Sequence, residues 1–431
     1  MATAAGHSTA MPSGRHDLFV TEISSSSCSG PSSLHVITGL WKHTGGPAET
    51  VPALCSSLAA GGSRTSLATL RGDMADTVAP AAAAGVNVHI YPPTVRHTVW
   101  YSRSLHKHLP ALVADHDVIH AHAMWQAPGW LACAEARRQG RPIVISPRGS
   151  LLPQRLAKSR CKKQLASLLF DRRNVRGAAA MHATSHEEAI SIRAFGYQGP
   201  LAVIPNGVEV PSDTDLALSM AAEPDFRSRF PETTGKRVLL FLSRIEPTKG
   251  VVSLAHVWGK IAPRHTDWHL VIAGPDERNH VREVRRILDA HGASRRTSVA
   301  GPLYTTERDQ AFAACELFVL PTRSENFGMA IGESLARSRP VITTVGAPWP
   351  GLQDHECGWW IPHGEDALEH ALDEALSLPA STLGRMGARG REWMQRDYAW
   401  PAIAARMHSV YRWLVGGPDK PPCDVLMTAG G

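Results

Sequence analysis

Short apolar runs alternate with amphipathic stretches along most of this chain. In the first half, the runs that predict buried strands cover residues 34–38, 65–70, 86–91, 117–121, 142–146, 179–184 and 201–204. Between them, apolar residues at helical spacing predict helices over 48–60, 102–114, 129–138 and 185–195. Such alternation of strand and helix is typical of a parallel sheet covered by helices on both faces.

The same alternation returns in the second half, after a break at Pro205-Asn206-Gly207. A polar stretch through Thr234, which contains three further prolines, predicts a connection with one short helix. Strands are then predicted over 238–243, 269–273, 298–301, 317–320 and 341–344, with 358–361 as a late edge strand. The last apolar positions at helical spacing predict a helix over 401–414. We expect residues 417–431 to form a loose tail.

The length of the chain indicates two domains. At 431 residues it exceeds the size of about 250 to 300 residues at which a single hydrophobic core stops growing. Together with the repeated pattern, this predicts an α/β protein built from two Rossmann-like, doubly wound parallel-sheet domains.

Composition excludes several other classes of protein. No apolar run approaches the roughly 18 residues that a membrane-spanning helix needs. Residues 1–33 are rich in small and polar residues and lack the apolar core of a signal peptide, which predicts a disordered tail and a cytoplasmic protein. The 7 cysteines are scattered without Cys-x-x-Cys spacing, which argues against structural zinc and a disulfide framework.

Positive charge is concentrated in residues 153–177. Eight basic residues stand there against the single acid Asp171, whereas the whole chain carries only +6. Leu165, Leu168 and Leu169 at helical spacing make the segment an amphipathic helix with a basic face. Two interpretations stay open: a solvated helix packed on its own domain, or peripheral contact with an anionic membrane. No motif typical of nucleic-acid binding accompanies the charge.

The most informative chemistry lies in the segment from Pro321 to Ser334. Its two carboxylates, Glu325 and Glu333, fall in the loop after a buried strand and on the helix that follows. Gly328 lets the backbone approach a ligand closely, and a helix N-terminus at this edge of a parallel sheet attracts anions. On its own, the same pattern also fits a solvated helix start with acidic residues near the positive end of the dipole.

Two cations follow another predicted strand, at residues 238–243. Arg244 and Lys249 stand five positions apart in the turn before a helix. A planar guanidinium and a compact ammonium suit the binding of a diphosphate. The alternative is an ordinary surface loop, with Lys249 near a helix N-terminus that mildly disfavours a cation.

Metal sites have weaker support in the sequence. His120 and His122 share one strand face, yet no third ligand is visible near them, so we interpret them as core or pocket-edge histidines. Asp213-Thr-Asp215 and Asp115-His-Asp117 match a short Asp-x-Asp pattern that can bind a divalent ion, but neither pair follows a buried strand. The expectation is therefore that no metal takes part.

Taken together, these motifs make the chain resemble the retaining glycosyltransferases of family 4. The resemblance rests on seven segments in the family's order: Gly45-Gly46-Pro47, Val118-Ile-His-Ala-His122, Ile145-Ser-Pro-Arg-Gly149, Val203-Ile-Pro-Asn-Gly-Val208, Arg244-Ile-Glu-Pro-Thr-Lys-Gly250, the Glu325-x7-Glu333 segment and Val341-Ile-Thr-Thr-Val-Gly-Ala-Pro-Trp349.

The resemblance implies the GT-B fold, in which two domains face a cleft. Residues 34–205 would form the acceptor domain and 206–396 the nucleotide-sugar donor domain, with a helix at 397–416 crossing back to the first domain. It also implies hexose transfer from a nucleotide-diphosphate sugar to a saccharide or lipid-linked saccharide in bacterial polysaccharide assembly, without cofactor, metal or covalent nucleophile.

The family's functional roles fall on a small set of residues of this chain. By resemblance, Arg244 and Lys249 hold the diphosphate, Glu325 faces the donor sugar and Glu333 accepts from the ribose. The remaining donor-binding positions are Gly45, Gly46, Asn326, Phe327, Gly328 and Met329, and the candidates for acceptor or donor-sugar contact are His122, Arg148 and Asn206. Relatives often carry histidine in place of Arg148 and glycine in place of Asn326.

Three other functions remain open alternatives. A sugar-nucleotide epimerase or a phosphorylase can use the same two-domain fold, and both would form product without an added alcohol acceptor. A non-catalytic sugar-nucleotide sensor would need none of the cations and carboxylates named above. A dinucleotide dehydrogenase is disfavoured because no Gly-x-Gly-x-x-Gly follows a predicted strand.

Overall fold

The computed structural model contains two parallel sheets, each covered by helices on both faces. It describes residues 30–41, 46–72, 75–96, 99–153, 156, 171–276 and 278–427. The predicted α/β class with two Rossmann-like domains is confirmed.

The first sheet has eight strands in the order β14-β7-β6-β5-β4-β1-β2-β3. Its seven parallel strands are β1 (Ser33–Val36), β2 (Thr65–Leu70), β3 (Asn87–Tyr91), β4 (Val118–His122), β5 (Ile143–Ser146), β6 (Ala180–Ala183) and β7 (Leu201–Val203). Strands β1 and β4 lie in the middle of the sheet, with His35 directly opposite His120. Because such strands are buried on both faces, they consist of apolar and small residues, apart from their histidines.

Six helices flank this sheet in the described part of the first domain. They are α1 (Gly46–Ala60), α2 (Ala75–Ala83), α3 (Arg103–Ala114), α4 (Ala127–Arg138), α5 (Arg172–Arg176) and α6 (His186–Ala194). Helices α3 and α6 start at serine caps, where Ser102 accepts from the Leu105 amide and Ser185 from the Glu188 amide. The predicted basic helix over 153–177 falls mostly outside the described residues, and its C-terminal end is α5, with Arg172, Arg173 and Arg176 exposed.

The second sheet has six parallel strands in the order β10-β9-β8-β11-β12-β13. These strands are β8 (Arg237–Leu242), β9 (Trp268–Ala273), β10 (Thr297–Gly301), β11 (Cys315–Leu320), β12 (Val341–Thr344) and β13 (Gly358–Ile361), with β13 at the edge as predicted. The helices of this domain are α7 (Asp213–Ala221), α8 (Glu223–Arg229), α9 (Val251–Ile261), α10 (Val281–Ala290), α11 (Thr305–Ala314), α12 (Met329–Ala336), α13 (Gly351–Asp354), α14 (Glu365–Ser377) and α15 (Ala380–Trp393). The connection therefore holds two α-helices where the sequence predicts one.

The C-terminal segment returns to the first domain. Helix α16 (Trp400–Leu414) packs Ile403, Met407 and Tyr411 with Leu54 and Leu58 of α1 in one buried cluster. Beyond it, β14 (Val425–Leu426) pairs antiparallel with β7. This corrects the expectation of a loose tail at residues 425–426, because a two-residue strand at a sheet edge is too short to leave an apolar pattern. Residues 428–431 of the predicted tail lie outside the described residues.

Candidate active site

Two loops at the carboxyl ends of neighbouring strands form the floor of the site. The loop after β8 and the loop after β11 are joined where the Arg323 amide donates to the Thr248 carbonyl at 2.8 Å. The Thr322 hydroxyl donates to the same carbonyl at 3.1 Å. Gly250 ends the first loop with a φ of +77°, and a Cβ there would lie 2.0 Å from the Pro321 carbonyl oxygen. Only glycine therefore permits the two loops to approach this closely.

Lys249 and Glu325 form an ion pair between these loops. The Lys249 ammonium lies 2.5 Å from the Glu325 carboxylate, and the two side chains are only 11% and 13% exposed. A charge removed this far from water needs a partner of opposite sign. The structure thus brings together two candidate residues that are 76 positions apart in the sequence.

Arg244 lies at the rim of the same loop. Its guanidinium pairs with the Glu246 carboxylate at 3.0 Å and keeps 42% of its side-chain surface exposed. An exposed pair of this kind is weak, so an anion that enters the site can compete for the guanidinium at low cost.

The N-terminus of α12 opens beside this ion pair. Gly328 precedes the helix with a φ of +85° and has no side chain to cap it, so the first helical amides remain available to an anion. The loop is held from below by Trp349, whose indole N–H donates to the Phe327 carbonyl at 2.6 Å. Trp349 in turn stacks on Tyr398 at a ring separation of 5.1 Å.

Glu333 lies on α12 and is 8% exposed. The Arg308 guanidinium of α11 contacts its carboxylate at 3.4 Å. Glu49 of α1 approaches from the first domain. Its side chain is open to the cleft, and partial desolvation there together with the Glu333 carboxylate raises its pKa, while Arg308 opposes the rise. Arg308 and Glu49 belong to no motif, so no local sequence pattern marks them as site residues.

The first domain contributes one cation, Arg148, to the wall of the cleft. Arg148 follows β5 with a φ of +53°, donates to the Asn206 side-chain oxygen and lies 3.3 Å from His122 Nδ1. Burial lowers the pKa of Arg148 to about 10, and Glu188 opposes that shift. The three candidates His122, Arg148 and Asn206 therefore form one cluster.

The two domains meet at Asn326 within the described residues of the cleft. Its amide donates to the Thr184 hydroxyl after β6 at 2.7 Å. Thr184 in turn donates to the buried Glu188 carboxylate at 2.8 Å, and Glu188 also accepts the Gly149 amide at 2.5 Å. Sequence reasoning missed Thr184 and Glu188, although the Ser-x-x-Glu spacing of 185–188 marks a helix start.

The glycine turn of the first domain is described only from Gly46 onward, and Gly45 lies outside the described residues. Gly46 begins α1, and a Cβ there would lie 4.0 Å from the Met329 side chain. The start of α1 therefore faces the start of α12 across the cleft.

The Asp-x-Asp pairs serve local structure. Asp215 completes a capping box with Ser212 at the start of α7, and Asp213 pairs with Arg391 at 2.9 Å. Asp115 pairs with Arg64, and Asp117 accepts from the Ser32 hydroxyl at 2.7 Å. The histidine pair is different, because β1 supplies the third imidazole that was not visible in sequence, His35.

The assembled site combines cations, main-chain dipoles and carboxylates in one cleft, with Lys249, Arg244 and Arg308 each beside a carboxylate. Lys249, Arg244 and the amides of α12 can neutralise a diphosphate, since each offers positive charge or N–H groups. Glu325 and Glu333 can accept hydrogen bonds from hydroxyl groups. Such a cleft suits a ligand that carries a phosphate group between two hydroxyl-rich ends.

Comparison with known proteins agrees with this chemistry. Residues 45–207 match the family model of the glycosyl transferase 4-like domain, and residues 223–393 match that of glycosyl transferases group 1. A GDP-mannose-dependent alpha-(1-6)-phosphatidylinositol monomannoside mannosyltransferase of Mycobacterium tuberculosis is 27% identical over 352 residues, or 77% of this chain and 85% of that protein. A GDP-mannose:cellobiosyl-diphosphopolyprenol alpha-mannosyltransferase of Xanthomonas oryzae is 23% identical over 305 residues, which cover 70% of this chain and 75% of that protein.

Solved structures share the architecture at lower sequence identity. Anabaena HepE in complex with UDP and glucose superposes with a TM-score of 0.67 at 17% identity, over 88% of this chain and 98% of that one. Sucrose-phosphate synthase from Thermosynechococcus elongatus gives a TM-score of 0.65 at 20% identity, over 89% and 99% of the two chains. These structures establish that the two-domain arrangement is the GT-B fold.

Proposed function

Since the chain belongs to glycosyltransferase family 4 and uses a nucleotide sugar, we propose that it is a retaining, metal-independent hexosyltransferase. The observation that carries the proposal is the buried Lys249–Glu325 pair, which lies at the carboxyl ends of β8 and β11 beside the uncapped start of α12. A cation held there can exchange its carboxylate partner for the leaving diphosphate.

Each residue has a stated part in the reaction. The bond from the anomeric carbon to the phosphate oxygen breaks, and negative charge grows on that oxygen while the sugar becomes oxocarbenium-like. Lys249, Arg244 and the amides of α12 stabilise the growing charge. Once Lys249 contacts the diphosphate, Glu325 is free to accept from a sugar hydroxyl, and Glu333 accepts from the ribose.

Retention follows if the acceptor attacks on the face that the diphosphate leaves. The acceptor oxygen forms its bond to the anomeric carbon, and its proton passes to a phosphate oxygen of the departing nucleotide. Atoms and charges balance without a covalent enzyme intermediate, and none of the side chains named above needs to act as a nucleophile.

The relatives favour a particular donor and acceptor class. Both of the relatives described above are named as GDP-mannose enzymes, and their named acceptors carry phosphatidylinositol or diphosphopolyprenol. We therefore propose GDP-mannose as the first donor to test, and a lipid-linked saccharide of bacterial polysaccharide assembly as the acceptor.

A ligand panel tests the donor. Each nucleotide sugar is added to the purified protein and the midpoint of thermal unfolding is measured. A ligand at 100 times its dissociation constant adds about 2.7 kcal/mol to the stability of the folded state. A protective donor is then incubated with alcohol acceptors, and NMR of the product shows whether the anomeric configuration is retained.

Two controls separate the alternatives. Turnover that persists with a chelator supports a metal-independent reaction, whereas turnover that stops and returns with a divalent ion contradicts it. Product that forms without an added acceptor identifies an epimerase or a phosphorylase. Donor binding without any turnover supports the non-catalytic sensor.

The basic segment 153–177 supports peripheral contact with the inner face of the cell membrane. Among the described residues no helix is long and apolar enough to cross a bilayer. Each basic residue near an anionic leaflet adds about 1 kcal/mol of attraction. Binding to vesicles with and without anionic lipid tests this contact, and equal binding to both kinds of vesicle would contradict it.

A further inference from the structure

Four histidines and one tyrosine form a buried cluster behind Arg148, which we call the histidine chain. Its members are His35, His120, His122, His182 and Tyr411. All five side chains have a relative exposure of 2% or less. The four histidines come from three strands of the first sheet, the neighbours β1 and β4 and, on the far side of β5, β6, and the tyrosine comes from α16.

Hydrogen bonds run through the cluster as one file with a single side branch, because the Ser33 hydroxyl also lies 3.3 Å from His35 Nε2. His122 Nε2 lies 3.0 Å from His35 Nδ1, and His35 Nε2 lies 3.4 Å from the Tyr411 hydroxyl. The Tyr411 hydroxyl lies 2.6 Å from His120 Nδ1. His120 Nε2 then lies 3.4 Å from His182 Nδ1, and His182 Nε2 lies 2.8 Å from the Ile204 carbonyl oxygen.

The two ends of the file fix its direction. The Ile204 carbonyl can only accept, so His182 carries its proton on Nε2 and accepts on Nδ1. At the other end the Arg148 guanidinium can only donate, so His122 accepts on Nδ1 and carries its proton on Nε2. Following each end inward gives the same tautomer for His35 and His120, and both paths meet at Tyr411.

Every hydrogen bond along the histidine chain therefore runs in the same direction, from Arg148 toward the Ile204 carbonyl. All four imidazoles are neutral with the proton on Nε2, the Nε2–H of His35 is shared between the Tyr411 and Ser33 hydroxyls, and Tyr411 donates to His120. Burial lowers the pKa of His35 and of His182 to about 3 each. Burial also holds the pKa values of His120 and His122 well below their ordinary range. In each ring the unprotonated nitrogen, Nδ1, is therefore the one that lies nearer to Arg148 along the hydrogen-bonded file.

This arrangement leaves no ring nitrogen of His122 for a substrate. The group that faces the cleft is Arg148, whose Nη1 and Nη2 are held by Asn206 and His122. Its buried Nε–H has no partner among the described residues. A buried donor without a partner is costly, which favours an acceptor supplied by a ligand.

We propose that the histidine chain is a positioning device that holds Arg148 at the cleft wall to receive a phosphate oxygen. The inference rests on the proposed function for the identity of the ligand. A row of aligned dipoles takes the place of a carboxylate contact, so the guanidinium keeps its charge without being neutralised. The phosphate belongs either to the departing nucleotide or to a phosphate-bearing acceptor.

The first experiment does not depend on turnover. In the ¹⁵N-labelled protein at neutral pH, two-bond correlations from the ring C–H protons distinguish Nε2–H from Nδ1–H tautomers. Comparison with single histidine-to-glutamine variants assigns the signals. We expect all four histidines in the Nε2–H form. An Nδ1–H tautomer or an imidazolium at any of them would contradict the proposed hydrogen-bond direction.

A metal centre is the competing interpretation of the same residues. One nitrogen from each of His35, His120 and His122 lies within 4.8 Å of the others. The adjacent guanidinium and the filled hydrogen-bond sites argue against a cation there. Stoichiometric uptake of Zn²⁺ with loss of the three Nε2–H signals would replace the proposal with a metal site, and unchanged signals support it.

The second experiment asks whether the chain acts through Arg148. Tyr411→Phe removes one hydroxyl from the middle of the chain and keeps the ring. We expect it to lower kcat/KM about tenfold, because loss of one buried hydrogen bond costs about 1.4 kcal/mol. In an Arg148→Gln background we expect Tyr411→Phe to have no further effect. Tyr91→Phe, a buried tyrosine of the same domain whose ring packs 5.7 Å from His108, is the matched control.

The kinetic pattern identifies the source of the phosphate. If Arg148→Gln lowers kcat and weakens binding of the nucleoside diphosphate, Arg148 binds a phosphate of the donor. If it raises only the KM of the acceptor, Arg148 binds a phosphate of the acceptor. Equal effects of Tyr411→Phe with and without Arg148 contradict a positioning role. If no glycosyl transfer is found at all, the proposed function fails while the tautomers still report on the chain.

Discussion

At the scale of single residues, the charged side chains of the site form ion pairs, and a ligand can replace one partner of each pair. Lys249 is held by Glu325 and Arg244 by Glu246, and Glu333 is contacted by Arg308. Buried carboxylates and cations need partners in the free protein. The proposed reaction uses the same groups, with the diphosphate and hydroxyls of the donor as replacement partners.

Loss of Lys249 tests the charge proposed to grow on the leaving oxygen. We expect Lys249→Ala to lower kcat by the equivalent of about 2 to 4 kcal/mol, because the ammonium contributes most in the transition state. Lys260→Ala is the control, since Lys260 is 43% exposed and pairs with Glu365 and Glu369 at 3.8 Å. An unchanged kcat with only weaker donor binding would reject the role of Lys249.

Glu333 should behave differently, because the ribose it is proposed to hold does not change during the reaction. Glu333→Gln removes the carboxylate charge and keeps the shape of the side chain. We expect a higher KM for the nucleotide sugar with little change in kcat. The control is Glu356→Gln, whose side chain is 75% exposed. A large fall in kcat alone would show that Glu333 acts on the reacting atoms.

How much of the site could be predicted depends on how local its signals are. Arg244, Lys249, Glu325 and Glu333 lie in two short motifs that each follow one strand, so the sequence places them at the same sheet edge. The contact of Asn326 with Thr184 spans 142 positions and joins two domains. No local pattern encodes such a contact.

At the scale of elements, the strand predictions agree closely with the structure because buried parallel strands are continuous apolar runs. Thr65–Leu70 and Val341–Thr344 have the predicted bounds. Helix Ala75–Ala83 was missed, since Pro80 lies inside it and its composition is largely alanine. Helix Asp213–Ala221 has no buried residue, so it shows no apolar face that sequence could reveal.

The turn at Gly250 gives a prediction at this scale. Gly250→Ala would place a Cβ 2.0 Å from the Pro321 carbonyl oxygen in addition to the strain of a left-handed residue. Gly235→Ala is the matched control, because Gly235 has a φ of +69° and nothing within 4 Å of its added Cβ. We expect the control to lose about 1 to 2 kcal/mol of unfolding free energy and Gly250→Ala to lose clearly more in urea titrations. Equal losses would contradict the close approach.

At the scale of the whole molecule, two chain crossings link the domains, and a hydrogen bond between side chains joins them across the described part of the cleft. The linker after Ile204 and helix α16 both take part in the histidine chain, through the Ile204 carbonyl and Tyr411. The cleft residue Arg148 is therefore connected to both crossings. A change in the angle between the domains would act on the same hydrogen-bonded file that orients this guanidinium.

In this hydrogen bond the side-chain amide of Asn326 donates to the Thr184 hydroxyl at 2.7 Å across the cleft. A hydrogen bond contributes about 0.5 to 1.5 kcal/mol net, which corresponds to a change of roughly 2- to 13-fold in the ratio of closed to open molecules. Asn326→Gly should therefore shift the free protein toward the open form. We expect a larger radius of gyration by small-angle X-ray scattering, and a smaller difference once a nucleotide sugar binds.

Ser324→Gly serves as the control for this variant, because it adds a glycine to the same loop and leaves the Asn326 amide in place. If both variants expand equally, loop flexibility explains the effect and the contact with Thr184 does not hold the domains. If only Asn326→Gly expands, the residue that replaces the family's more common glycine biases this chain toward closure. The donor loop would then set the resting angle of the domains as well as the contacts with the sugar.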